Sequence, residues 1–234
     1  MPKQKKTDAF VMGNRSTGNR YRPMMDMNKY PRTYHFSFSP GVQNDDKMLP
    51  DVSVFHGKNI VVTEKLDGEN TGMTSKTCHA RSLDSRDHSS RHWVKALHGQ
   101  IQRDIPEGWQ IFGENMFAEH SIRYEDLTSF LYVFLIVDEN KMCFSWEKTK
   151  EWAEMFGLQV VPELYTGFWD EDAVQACYTG ESKYGQDQEG YVVRNSDEFL
   201  LSEFQQNVAK CVRYNHVRTG EFWMKHWKPN KLGQ

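Results

Sequence analysis

Six short runs along the chain carry the apolar, β-branched or aromatic character of strands: residues 59–64 (NIVVTE), 109–113 (WQIFG), 131–137 (LYVFLIV), 159–161 (QVV), 190–194 (GYVVR) and 208–213 (VAKCVR). Between them lie runs with helical spacing. In 89–103, Trp93, Leu97 and Ile101 recur every fourth residue, and the pattern stops before Pro106. In 145–156, Ser145 stands at the N-cap position. Trp146, Thr149, Trp152, Ala153 and Phe156 share one face, and Gly157 follows the end. A third run, 170–179, is closed by Gly180. Strands and helices mix without regular βα alternation. The pattern therefore predicts an α+β fold of largely antiparallel sheets flanked by helices.

Residues 1–28 are polar, with Gly, Asn, Arg and a Met cluster, and read as a loose basic arm. Residues 39–51 (SPGVQNDDKMLPD) read as a turn-rich connection. The remainder, 29–234, reads as one domain, with 214–234 a basic, aromatic C-terminal strap. No run approaches the ~20 apolar residues of a membrane span, and no apolar leader follows the basic N-terminus, so the expectation is a cytoplasmic protein with no membrane contact. Cys78, Cys143, Cys177 and Cys211 form no CxxC pair and read as reduced thiols.

Charge is unevenly spread. Residues 1–34 hold 8 Lys/Arg and 2 Asp/Glu, and residues 205–234 hold 6 and 1. Of the totals of 29 and 32, that leaves 15 and 29 in the body. Basic ends on an acidic body suit a protein that grips phosphate with specific segments; from charge alone they read equally well as solvated tails.

Chemistry enters at Thr63–Asn70, TEKLDGEN, where Lys65 sits between a strand and an Asp-Gly turn. Lysine becomes nucleophilic when its pKa is depressed, and partial burial or a neighbouring Mg²⁺ would do this. Glu64 and Asp67 could orient the amine or hold a metal, and Gly68 permits close backbone approach. By itself KLDG also reads as a hairpin with a lysine exposed at its turn. Downstream come FGENMFA with Glu114, LYVFLI with Phe134, QEGYVVRN with Glu189, and VAKCVR with Lys210 and Arg213.

In order and rough spacing these segments resemble the motifs of covalent nucleotidyltransferases, the ligases and capping enzymes. TEKLDGEN, FGEN, EGYVVR and AKCVR, with the terminal HVRTGEFWMKHW, are most similar to the ATP-dependent RNA ligases of phages and bacteria, over about residues 30–227. The resemblance implies a nucleotide cleft between sheets and self-adenylation of Lys65 by ATP. AMP would then pass to an RNA 5′-phosphate, which a 3′-hydroxyl attacks. It implies Mg²⁺, with Mn²⁺ as a substitute, and a monomer. Only 21 residues, 214–234, follow Arg213, so no OB-fold domain is expected.

By the same resemblance, Lys65, Asp67, Lys210 and Arg213 are the catalytic set. Glu64 lies where the family contacts the adenine amino edge. Asn70 lies where it organises the nucleotide or the lysine, and Arg81 where an arginine reaches the phosphates and the RNA end. Glu114 matches the carboxylate on the ribose hydroxyls, and Phe134 and Val192 match the two faces of the adenine slot. Glu189 matches the metal-binding glutamate. The chain departs from the common pattern at Val212, where many relatives carry a second lysine, and Arg213 is given that role. Arg194 replaces a lysine that often closes the glutamate motif; both changes suit phosphate. Arg86, Arg91, Arg194, Arg218 and Lys225 are candidate RNA contacts.

Phe134 and Val192 read equally as core. His79, His88 and His92 have no cysteine placed to complete a zinc site and read first as surface, then as RNA contacts. Phe222, Trp223 and Trp227 read as a strap packed on the body that can also stack bases. Two rival functions stay open: a DNA ligase or capping-type enzyme working with a separate partner domain, and a non-catalytic RNA-binding relative. The first is tested by nucleotide choice. The second would be expected to lose motif residues, and Lys65, Asp67, Glu114, Glu189 and Lys210 are all present.

Overall fold

The computed structural model describes residues 28–83, 87–185, 187–214 and 227–233. Twelve strands follow in chain order: β1 Tyr34–His35, β2 Asn59–Lys65, β3 Glu69–Met73, β4 Cys78–Ala80, β5 Gln110–Asn115, β6 Leu131–Val137, β7 Met142–Cys143, β8 Gln159–Val160, β9 Glu163–Phe168, β10 Gly190–Asn195, β11 Phe199–Leu200 and β12 Val208–Val212. The helices are α1 His92–Ile101, α2 Trp146–Met155 and α3 Glu171–Ala176. All six strand runs expected from the sequence form strands. The short strands β1, β4, β7 and β11, and the polar β3 and β9, carry too little apolar pattern to be read that way.

The strands form two sheets. One has the order β1-β12-β10-β2-β9; the other runs β11-β7-β6-β5-β3-β4, with β8 beside β6. Pairing is antiparallel except for β1 with β12 and β6 with β8. The sheets meet face to face. Val61 of β2 packs with Met116, Tyr132 and Trp146, while Val192 and Val208 pack with Phe112 and Phe134. The outer face of the first sheet (Ile60, Val62, Tyr191, Val193) is covered by Val174 at α3 and by Phe36, Phe55 and Trp169. The outer face of the second (Met73, Ile111, Val133, Ile136) is covered by α1 and α2. Among the described residues no separate barrel accompanies the two sheets, and no helix is long and apolar enough to cross a membrane. All four cysteines are free.

The expected helices form with adjusted ends. Ser145 caps α2 through the Lys148 N–H (3.3 Å), and Asp170 caps α3 through the Ala173 N–H (3.0 Å). On α1 the most buried side chains are Val94, His98 and Ile101, with Trp93 and Leu97 half-buried beside them. Hydropathy misses His98 because the ring is buried by a bond to the Thr74 carbonyl (2.7 Å).

Residues 227–233 lie along the loop between β5 and β6, bridging Pro229 to Ala118 and Leu232 to Leu127. Trp227 packs on Phe117 (5.5 Å) and donates to the Ser89 hydroxyl (3.1 Å). Residues 1–27, and with them nearly all of the expected arm, lie outside the described residues, as do Phe222 and Trp223. Asn230 anchors the C-terminal segment. It is buried, donates to the Met116 (2.8 Å) and Ala118 (3.3 Å) carbonyls, and accepts the Tyr124 N–H (2.9 Å). Asn230→Ala strips three backbone groups of their partner and should cost about 2–4 kcal/mol. Urea unfolding measures this, and an unchanged midpoint would deny the anchor.

Candidate active site

The turn Leu66–Gly68 carries the chain from β2 in one sheet to β3 in the other. It thereby places the lysine at the line where the sheets face each other. Two contacts make the turn rigid. Gly68 passes so close to β5 that a Cβ there would stand 2.6 Å from the Asn115 carbonyl oxygen and 2.7 Å from the Met116 sulfur. Asp67 is turned away from the lysine: its Oδ2 accepts the Ser121 N–H (2.8 Å), the Ser121 hydroxyl (2.6 Å) and the Ile122 N–H (2.9 Å), and its own N–H donates to the Tyr124 hydroxyl (3.0 Å). The glycine expected to admit a ligand thus admits backbone. The aspartate expected to orient the amine directly orients the loop that walls the cleft.

A cleft of about 480 Å³ opens between the sheets. Lys65, Glu64, Asn70, Arg81, Glu114, Phe134, Val192, Arg194 and Lys210 line it together. Register explains the grouping. Lys65 pairs with Gly190, Thr63 with Val192, Val192 with Lys210, and Asn70 with Glu114. Alternate residues of a strand share a face, so Lys65 and Thr63 follow one another along the cleft about 7 Å apart. The cleft therefore grades from a charged end (Lys65, Glu114, Asn70, Arg81, Lys210) to an apolar end (Phe134, Leu135, Val161, Val192, Phe204, Val208).

At the charged end the Lys65 ammonium meets Glu189 Oε2 at 2.5 Å, with Glu189 only 4% exposed. Burial would lower the lysine pKa, but Glu189, Glu114 and Asp67 outweigh it and hold the amine above its ordinary value. The depression that burial alone would bring is therefore absent, because the lysine shares its site with carboxylates. Burial pushes Glu189 up to about 7 and Glu114 up to about 8; Glu114 also accepts the Gly68 N–H at 3.2 Å. Burial, reinforced by Lys65, pulls Lys210 down to about 8.

Glu64 is 2% exposed; its Oε2 accepts the Lys183 N–H (3.1 Å), while Oε1 is buried with no partner among the described residues. Asn70 Oδ1 is likewise buried and unpartnered there. Such atoms suit a ligand that donates hydrogen bonds. Among the described residues no three His, Cys, Asp or Glu side chains converge to hold a metal. A donor set of one or two buried carboxylates, Glu189 with Glu114, fits a hard cation that keeps most of its waters, as Mg²⁺ does, and does not fit zinc.

The arginines divide. Arg81 is exposed at the cleft, its backbone N–H on the Asn70 carbonyl (2.9 Å). Arg213 does not line the cleft; its Nη1 pairs with Asp187 (2.8 Å) and its N–H donates to the Glu189 carbonyl (2.9 Å), so it braces the Glu189 segment. Arg91 forms a two-pronged pair with Glu69. Arg194 is 4% exposed and donates to the Phe144 (2.5 Å) and Phe134 (3.4 Å) carbonyls. Arg91 and Arg194, expected as RNA contacts, are each engaged by the protein itself, Arg91 by Glu69 and Arg194 by the two carbonyls. Arg86, Arg218 and Lys225 lie outside the described residues. His79 bonds the Ala80 carbonyl (2.8 Å) and His88 the Ser90 hydroxyl (2.8 Å).

Sequence reasoning missed Tyr30, Thr33, Asp46, Glu69, His120 and Phe204, which also line the cleft. His120 had a readable clue, standing next to Ser121 in the FGENMFAEHSI run. Glu69 lies within TEKLDGEN itself, and the others reach the cleft only through the chain path.

A protein-family model described as RNA ligase matches residues 58–212, which contain every strand that carries a cleft cation or carboxylate. The chain belongs to the RNA ligase family. No curated protein matches the chain. Among solved structures, a Naegleria gruberi RNA ligase with PPi is similar at 20% identity and a TM-score of 0.52, over 86% of this chain and 60% of that one. A variant of the Naegleria enzyme with ATP and Mn is similar at 17% identity and a TM-score of 0.51, over 82% and 59%. An archaeal ATP-dependent RNA ligase is similar at 13% identity and a TM-score of 0.52, over 82% and 49%. These likenesses are of fold, and the chain spans less than two thirds of each of these proteins. The fold is the mixed, mostly antiparallel nucleotidyltransferase architecture of RNA ligases.

Asp67→Ala would leave the Ser121 and Ile122 amides unpaired beside the family's lysine. It should lower stability by about 2–4 kcal/mol, against less than about 1.5 kcal/mol for Ser121→Ala, which loses one hydroxyl bond. Denaturation midpoints of the two variants check this. Equal, small effects would mean that Asp67 does not hold the loop.

Proposed function

We propose that this chain is an ATP-dependent RNA ligase that adenylates Lys65, passes AMP to an RNA 5′-phosphate and joins that end to a 3′-hydroxyl. One observation carries the reading. A single cleft holds a half-buried amine among carboxylates and a second cation at one end, and an apolar slot lined by Phe134 and Val192 at the other. A purine fits the slot, and triphosphate oxygens fit Lys65, Lys210 and Arg81.

Lys65 Nζ is the nucleophile: its lone pair bonds the α-phosphorus while the bond to pyrophosphate breaks. Lys210 and Arg81 neutralise non-bridging oxygens. Glu114 accepts from ribose hydroxyls, and Asn70 and Glu64 accept from nucleotide donors. Glu189 and Glu114 would hold Mg²⁺ or Mn²⁺, whose charge would compete with the Lys65 ammonium for Glu189 and so favour the free amine. Arg213 keeps Glu189 in place. The protein acts in the cytoplasm, where its free cysteines stay reduced.

The direct test is covalent labelling with α-labelled ATP and Mg²⁺, followed by sealing of 5′-phosphorylated RNA and DNA. Label should appear with ATP and not GTP and fall to background in Lys65→Ala. Label retained in that variant would remove the nucleophile. GTP labelling would point to a capping-type enzyme, and sealing of DNA alone to a DNA ligase. Glu189→Gln keeps the shape and loses the charge, so it should label slowly, with partial recovery in excess Mn²⁺.

Lys210 gives a pH prediction. With its pKa near 8, it is a cation below that pH and neutral above it. ATP affinity should therefore fall as pH rises through 8. Lys210→Arg stays charged and should flatten that part of the curve. Equilibrium ATP titrations at several pH values measure it, and identical curves for the two proteins would deny Lys210 a phosphate role.

A further inference from the structure

Residues 28–35 cross from one sheet to the other. At one end Asn28 is pinned to β5 by paired bonds, its N–H to Gln110 Oε1 and its carbonyl from Gln110 Nε2, both 2.9 Å. At the other, Tyr34 and His35 join the first sheet as β1 beside β12. Tyr30, Pro31, Arg32 and Thr33 lie between these anchors and line the cleft, with Arg32 tied to the Asp45 carbonyl (2.9 Å). The crossing passes over the apolar end. There the Tyr30 ring stands edge-on or tilted to three others: Phe134 at 5.1 Å, Phe204 at 5.2 Å and Phe112 at 5.3 Å.

We infer that Tyr30 is a specificity-determining residue, the end wall of the nucleobase slot, which limits the slot to an unsubstituted purine. The inference rests on the proposed nucleotide reading of the cleft. If the phosphates sit at Lys65 and Lys210, the ribose side of the base faces that charged end. The edge away from the ribose then faces the apolar end, with N6 left to the Glu64 Oε1 that has no partner among the described residues and C2 turned toward Tyr30. Phe134 and Val192 can grip the two faces of the base but cannot measure its length. Tyr30 closes the remaining direction, and its ring is held on three sides by aromatics, so it cannot easily turn aside. Phe112 and Phe204 stand behind it as packing. An apolar pocket discriminates by shape, so shortening its end wall should admit longer bases.

The experiment compares ATP with ATP analogues carrying a benzyl group on N6 or a methylthio group at C2. Each is measured twice with wild type, Tyr30→Ala and Tyr30→Phe: by equilibrium binding and by self-labelling. The wild type should bind ATP and reject at least one analogue. Tyr30→Ala should bind ATP more weakly and narrow the gap to that analogue by on the order of tenfold or more. Tyr30→Phe keeps the ring and should keep the wild-type gap between ATP and that analogue. A stably folded Tyr30→Ala with the wild-type gap at both positions overturns the inference, as does a wild type that accepts both analogues as well as ATP. Should Tyr30→Ala fail to fold, Tyr30→Leu takes its place under the same two criteria. Binding without labelling would sink the ligase reading while leaving the slot measurable, so the two failures are distinguishable.

Discussion

An ammonium and a carboxylate removed from water together are each unstable alone and stable only as partners. Lys65 and Glu189 approach this case, with the Glu189 side chain 5% exposed and the Lys65 side chain 26%. They lie on neighbouring strands, Lys65 at the end of β2 and Glu189 just before β10, and the β2–β10 register sets Lys65 opposite Gly190. That register is itself constrained. Gly190 has φ +156, and a Cβ there would stand 2.1 Å from the Cys211 carbonyl oxygen on β12. β10 and β12 therefore approach closely beside the pair, and only glycine allows it. Every other charged group of the cleft is placed relative to this pair, and the raised or lowered pKa values of Glu114, Glu189 and Lys210 follow from sharing its dry surroundings.

The pair also holds Lys65 protonated, because carboxylates around an ammonium favour its charged form. In the proposed reaction the nucleophile is therefore stored as an ammonium, and a divalent cation competing for Glu189 would favour the free amine. Asp67 helps indirectly: its carboxylate is committed to the Ser121–Ile122 loop, which in turn is backed by Tyr124 and by Asn230 of the C-terminal segment. Residues distant in sequence thus converge on the turn beside Lys65.

Arginine placement shows how one residue type serves opposite ends. Arg194 and Arg91 have the chemistry of phosphate contacts, yet one fills carbonyl acceptors in the interior and the other closes an ion pair with Glu69. Arg213 holds Asp187 and the Glu189 backbone. Among the described arginines assigned from the sequence, Arg81 keeps an exposed guanidinium at the cleft. A planar fork of five donors satisfies carbonyls and carboxylates as readily as phosphate, so residue type alone does not say which partner it has.

The sequence by itself determined the central strands, because β2, β6, β10 and β12 are buried enough to read as apolar runs. It also determined the helix starts at Ser145 and Asp170, because capping is local. The order of its motifs, by their resemblance to RNA ligases, pointed to Lys65, Glu114, Glu189, Lys210, Phe134 and Val192, which strand register then brought together. Tertiary structure alone decided the rest. Asp67 faces a loop 54 residues away, Arg194 turns inward, and Tyr30 reaches the cleft because the segment that carries it continues into β1, which joins β12 near the other end of the chain. Those outcomes depend on which polar groups meet after the sheets close. A side chain's capacity to bond is written in its chemistry, but its partner is chosen by long-range register and burial, which no local pattern encodes.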